Sequence, residues 1–231
     1  MTGSLLHLAL ASMLFVGSHV VLSIGTVRAP LVAAVGEPLF RGVYSILALA
    51  LIVWMVMAYN AAPYVEVWTP ATGWRHLSLT LMVPAAILVV GGITTPSPTS
   101  AGTDTRDVAA RGPKGLTKIT RHPMMWGIGL WGVSHLLANG DAAAMVLFAS
   151  LTALALLGPL AIDARRRAGM GDDWERFAGK TSYLPFAAMA AGRTRLRLRE
   201  IGWWRLGLGI TLYAVLLTAH PWLFGVNPLP F

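Results

Sequence analysis

Apolar residues along this chain run together rather than alternate. Six stretches, roughly 4–27, 39–59, 77–95, 122–138, 142–162 and 203–219, are nearly free of charge. Each is close to the ~20 residues that a helix needs to cross the hydrocarbon core of a bilayer. Backbone that enters lipid must satisfy its own hydrogen bonds, so uninterrupted apolar runs of this length read as helices. The pattern predicts an all-α polytopic transmembrane helical bundle of about six spans. The first run has no basic leader and is too long for a cleavable signal, so it counts as a span. Pro38 suits the first turn of the second helix, and Glu37 and Arg41 stand one turn apart in the favourable acid-first order.

The polar stretches are of two kinds. "TTPSPTSAGTDTRDVAARGPKG" reads as a Pro/Gly-rich connecting loop. Segment 163–202 mixes charge with aromatic residues and reads as a cytoplasmic interfacial segment. Trp174, Phe177, Tyr183 and Phe186 are expected at the headgroup level, the sharper alternative being a lid or floor over a membrane-embedded site. Within it "RTRLRLRE" alternates basic and apolar residues, a pattern whose default partner is anionic lipid. No internal repeat or linker divides the chain, so 1–231 is expected to form a single domain.

Composition agrees with the bilayer as partner. The chain is 55% hydrophobic and only 12% charged, where soluble domains carry about 25% charged residues. Its net charge of +8 does not point to nucleic acid, because the basic residues sit between the apolar runs. Of the 18 lysines and arginines, all but Arg75 fall in the first, third and fifth connections. By the positive-inside rule those connections are cytoplasmic and both termini lie outside. With no cysteine, thiolate ligation and covalent haem attachment are excluded, and any metal must be held by His, Met or oxygen.

The histidines are the candidate chemistry. His7, His76 and His220 sit near span ends, where structural roles are expected. His19, His122 and His135 fall within or at the edge of spans, where an ionisable side chain needs a partner or a task. Neutral imidazole tolerates burial and can ligate a metal through one nitrogen while a hydrogen bond holds the other. His122 and His135 are 13 residues apart, about 140° around a helix and about 20 Å along it, so one straight helix cannot bring them to one metal. Each needs a partner elsewhere, His19 being the best placed. Ser12 and Phe15 share the face of His19, while Trp131 and Gly132 share that of His135. Gly132 would leave room for a flat macrocycle on which Trp131 could stack, and Gly127 and Gly129 allow close helix approach. Arg121, His122 and Pro123 open a helix at the cytoplasmic edge, where an N-terminus attracts phosphate, carboxylate or porphyrin propionates. The plainer reading of Arg121 is that it only follows the charge rule. Periodicity alone leaves these ligand sets open.

The blocks "SHVVLSIGTVRAPLV", "TRHPMMWG", "LWGVSHLLANGD", "RFAGKTSYLPF", "EIGWW" and "HPWLFGV" resemble the NnrU family of bacterial membrane proteins over nearly the whole chain. That family is related to zeta-carotene isomerases, which share the order of blocks. The resemblance implies non-covalent haem b with two axial histidines, at positions His19 and His135. It also implies the bacterial inner membrane and a part in nitrite and nitric oxide metabolism as accessory or sensor, with a small apolar or gaseous ligand. Where the isomerases carry a cysteine three residues before the second ligand, this chain has Gly132. Haem-dependent cis–trans isomerisation of a carotenoid-like polyene is the enzymatic alternative. A fainter likeness to membrane S-adenosylmethionine-dependent methyltransferases would employ Arg121, His122, Trp174 and Glu175, and a scaffold without haem is a third class. The span limits put His19 toward the inner half and His135 toward the outer half. A haem between them then calls for tilted or shifted spans, with His122 as the alternative partner of His19.

Overall fold

The computed structural model describes residues 3–100 and 105–229, the ends of the expected domain and residues 101–104 of the third connection lying outside them. The described chain is helical, with one isolated β-bridge between Glu66 and Asp141. The helices are α1 (Leu5–Val21), α2 (Gly25–Val35), α3 (Glu37–Ala61), α4 (Thr72–Thr94), α5 (Thr105–Arg111), α6 (Pro123–Ala138), α7 (Ala142–Met170), α8 (Asp172–Gly179), α9 (Ala187–Ala190) and α10 (Trp203–Phe224). Ser4 caps α1, its hydroxyl accepting from the His7 amide at 3.1 Å, and the Asp141 carboxylate caps α7 by accepting from Ala144 at 2.9 Å. The chain is an integral membrane protein: large apolar side chains such as Leu6, Ile46, Leu49, Met57 and Trp222 are exposed over its outer surface, where lipid accepts them.

Two of the six expected spans are altered. Four helices, α3, α4, α7 and α10, are long and apolar enough to cross a membrane alone. The first run, expected as one span over 4–27, stops at Val21, and α2 leaves at 77°, making a fifth span only if the bent pair counts as one. Arg28, in the first turn of α2, lies 2.6 Å from Glu37, which also binds Arg41 at 2.6 Å. The fourth run forms α6, which has only 16 residues, ~24 Å of helix against a ~30 Å hydrocarbon core. It packs between α4 and α7, with Gly127 against Ala85 and Val89 and Gly129 against Leu156. Ser78 of α4 also donates to the Ser134 carbonyl at 2.8 Å.

The ends of the bundle sort as the charges predict. His7 meets Trp54 and His19 meets Tyr44, so α1 and α3 are antiparallel. Tyr59 near the end of α3 meets Phe148 near the start of α7, while Arg165 near the end of α7 lies in the field of Glu37 at the start of α3, so α7 is antiparallel to α3 and parallel to α1. The first and fifth connections therefore lie at one end. The third joins them there, through Lys118–Glu200 at 2.6 Å and a hydrogen bond of 3.3 Å from Arg166 to the Ser100 carbonyl. At the opposite end the amides of Val67 and Trp68 in the second connection donate to Gly140 in the fourth.

The main core fills the space between α1, α3 and α7 with Leu8, Phe15, Met55, Ala144, Leu147 and Phe148. A second, smaller core corrects the expectation for 163–202. The helix α7 continues to Met170, and Trp174 and Phe177 of α8 are fully buried against Ala109 rather than seated in headgroups. Their apolar surface is covered by the third connection, so the segment folds as a small layer at the basic end of the bundle. Phe186 remains exposed, as an interfacial residue should.

Candidate functional site

The polar site nearest the bundle's basic end is built where α6 begins. The approach to α6 is sewn to the fifth connection: Thr120 donates to the Tyr183 carbonyl at 2.7 Å, the Arg121 amide to Ser182 at 2.9 Å, and the Trp126 indole to Tyr183 at 2.9 Å. Thr99 of the third connection donates to the Arg121 carbonyl at 2.8 Å. This pins His122, only 3% exposed, against Asp163 near the end of α7, with Nε2 2.7 Å from Oδ1. A carboxylate can only accept, so the ring proton there sits on Nε2. Arg121 Nε lies 3.5 Å from the other Asp163 oxygen, and its guanidinium lies 5.7 Å from the centre of the Trp174 ring. Burial draws the Arg121 pKa down, opposed by the Asp163 charge. Burial, with a smaller push from Asp163, raises that of Tyr183, whose hydroxyl donates to the Leu156 carbonyl.

Arg121 and His122 are thus not an open cradle for an outside anion, as the helix N-terminus suggested; Asp163 is the anion they meet. Sequence reasoning passed over Asp163, 41 residues away from His122. The signal was present: an acid at the end of an apolar run, where an ionisable group needs a partner. Of the residues that a methyltransferase-like site needs, Arg121 and Trp174 do meet, whereas Glu175 pairs with Arg167 in an exposed bridge.

The two remaining intramembrane histidines are set alike. Nδ1 of His19 lies 2.8 Å from the Phe15 carbonyl, and Nδ1 of His135 lies 2.8 Å from that of Trp131. A carbonyl accepts only, so in each neutral ring Nδ1 carries the proton and Nε2 keeps its lone pair. The rings touch different neighbours. His19 packs on Phe15 at 4.4 Å and Tyr44 at 5.3 Å; His135 stacks on Phe148 at 4.6 Å and meets Trp131 at 4.9 Å. Phe15, Phe148 and Trp131 nevertheless belong to one continuous core, so the two imidazoles flank a shared aromatic cluster. His19 stands in the last turn of α1, toward the basic end of the bundle, and His135 in the last turn of α6, toward the opposite end. The donor set fits b-type haem in its chemistry: two imidazoles in apolar surroundings, each oriented by its own carbonyl so that Nε2 is the nitrogen left for a metal.

Gly132 does something other than expected. A β-carbon there would run into Thr152 Oγ1 and come within 3.3 Å of the Phe148 carbonyl. Its missing side chain is used by α7, which lies tight against α6, so a macrocycle cannot lie over Gly132 itself. His7 accepts from the Trp54 indole at 2.8 Å and His220 Nδ1 bonds the Val226 carbonyl at 2.8 Å, the structural roles foreseen for them.

Comparison with known proteins adds three findings. The family model described as NnrU protein matches residues 7–228. The chain is 35% identical over 82 residues to the chloroplastic 15-cis-zeta-carotene isomerase of Zea mays, covering 36% of this chain and 22% of that protein. It is 38% identical over 79 residues to the Arabidopsis thaliana protein of the same name, covering 34% and 22%. The matches therefore span about a fifth of these relatives' length. No solved structure matches.

Proposed function

Because this chain belongs to the NnrU family, we propose that it is a b-type haem protein of the bacterial inner membrane. In this reading it serves nitrite and nitric oxide metabolism as an accessory or sensor, and both termini face the periplasm. The observation that carries the reading is the matched setting of His19 and His135. Each donates Nδ1–H to the carbonyl four residues back, at 2.8 Å, and each is left with Nε2 as a ligand atom. Bound haem supplies an iron centre with affinity for electrons and small uncharged ligands. The chain's own part is to fix both ring orientations by those carbonyls and to keep water out with Phe15, Trp131 and Phe148. The His122–Asp163 contact anchors the start of α6, and so sets the height at which His135 is presented. A small apolar or gaseous ligand reaches such a site from the lipid phase. Absorption spectra of detergent-purified protein from haem-replete cells test the reading. A Soret band with sharp α and β bands on reduction is expected; a colourless protein would overturn it.

The matches to 15-cis-zeta-carotene isomerases favour a second reading, haem-dependent isomerisation of a carotenoid-like polyene. Purified protein, oxidised and reduced, incubated with a cis polyene separates the two. A changed isomer ratio on chromatography supports the isomerase. A nitric oxide-induced spectral shift without conversion supports the sensor.

A further inference from the structure

The strap between α9 and α10 carries more charge than the fold consumes. Arg193 is spent on the end of α8, donating to the Gly179 and Thr181 carbonyls at 2.9 and 3.0 Å. Arg205 is spent on Thr94, donating to its hydroxyl and its carbonyl at 3.0 Å each. Arg195, Arg197 and Arg199 are exposed and, among the described residues, form no ion pair. Arg197 is extended, and along this stretch the exposed Arg195 and Arg197 flank the half-buried Leu196.

The strap is also held in place. Lys118 donates to the Arg195 carbonyl at 3.1 Å and pairs with Glu200, the strap's one acid, at 2.6 Å. Gly115, at φ +54°, lets the third connection touch the Glu200 backbone; a β-carbon there would sit 2.6 Å from its carbonyl oxygen. The strap's own carboxylate is therefore turned inward. Beside the arginines, Leu198 is 64% exposed, Trp203 68% and Trp204 55%, immediately before α10 enters the membrane. Exposed tryptophans at the start of a span mark the headgroup level.

We propose that Arg195, Arg197 and Arg199 form a docking platform for the headgroups of anionic phospholipids, with Leu198, Trp203 and Trp204 seated at the acyl boundary. Guanidinium pairs with a phosphate diester through forked N–H donors, and the fixed strap means little ordering accompanies binding. A juxtamembrane arginine contributes about a fivefold gain in affinity for anionic lipid, so three contribute on the order of a hundredfold.

The test uses full-length protein in detergent, titrated with phosphatidylglycerol or phosphatidylcholine and read by native mass spectrometry and thermal unfolding. Phosphatidylglycerol is expected to be retained preferentially and to raise the unfolding temperature, less so at high salt. R195Q/R197Q/R199Q should lose that preference on the order of a hundredfold, while R195K/R197K/R199K should keep most of it. Equal retention by wild type and the Gln variant, or equal retention of both lipids by wild type, overturns the proposal. So does inorganic phosphate that reproduces the stabilisation, since the site would then take a soluble anion. Should the triple Gln variant fail to fold, R197Q alone must still weaken phosphatidylglycerol binding several-fold, and an unchanged affinity overturns the proposal equally.

Discussion

Replacing Asp163 by alanine removes the carboxylate that His122 and Arg121 share. His122 is 3% exposed and its Nε2–H, 2.7 Å from Asp163, would be left facing protein without an acceptor. An orphaned buried donor costs about 1–3 kcal/mol. The Arg121 guanidinium, its side chain 14% exposed and 3.5 Å from the carboxylate, loses its counter-charge as well. Removing one partner of a fully buried pair costs about 3–5 kcal/mol, but Asp163 retains 18% side-chain exposure, so water can replace part of what is lost. The combined expectation is about 2–4 kcal/mol, a fall of roughly 4–16 °C in the unfolding midpoint for a chain of this size. Tryptophan fluorescence during thermal unfolding in detergent reads it directly, since Trp126 and Trp174 border the site. Asp163→Asn, which keeps an acceptor for His122 but no charge, should lose about half as much. The His122→Ala and Asp163→Ala losses should be non-additive by about 1 kcal/mol or more in the double variant, as for groups in direct contact. A midpoint unchanged within about 2 °C in Asp163→Ala would refute the reasoning.

Gly132→Ala is expected to destabilise by about 1–3 kcal/mol, because the added carbon meets Thr152 and the Phe148 carbonyl; in an uncrowded helix the same change would stabilise by up to about 1 kcal/mol, and that sign in calorimetry would show α7 lies farther away. Burial works against ionisation of Glu200, but Lys118, with smaller help from Gly115 and Arg197, holds its carboxyl below the usual value of 4.5. Its contribution to stability is therefore complete above about pH 4.5 and is lost as pH falls through the lower folded value. Unfolding midpoints between pH 3 and 6 should show that loss in wild type and a flatter profile in Glu200→Gln. Reporter fusions after residue 231 should act in the periplasm, as the basic third and fifth connections require; a cytoplasmic signal would overturn that topology.

Helices could be read from the sequence because hydropathy reports transfer to lipid, and the runs leading to α3, α4, α7 and α10 report it plainly. The pair Glu37–Arg41 could be read because both partners lie on one helix. What escaped were facts about partners distant in sequence. Nothing near Gly132 says that Thr152 needs its space, and nothing near Trp174 says that Ala109 will cover it. After the bend that follows Val21, Arg28 in α2 pairs with Glu37 at the start of α3, a contact that a single straight span did not suggest. His19 and His135 stood out for being ionisable in apolar runs. Their common hydrogen-bond setting follows from the carbonyl four residues back, which any helix provides, but which nitrogen is left free is a matter of side-chain rotamer and needed the structure.

Axial ligation by His19 and His135 is tested most directly by haem content and spectrum across three variants of the purified protein. Wild type should carry six-coordinate haem b. His19→Ala and His135→Ala should each lose the haem or become five-coordinate, since no cysteine exists to take the vacated position. His122→Ala, which removes only the Asp163 contact, should remain six-coordinate even if less of it folds. Wild-type haem content and spectrum in both the His19 and His135 variants, or loss of coordination in His122→Ala alone, would contradict the assignment.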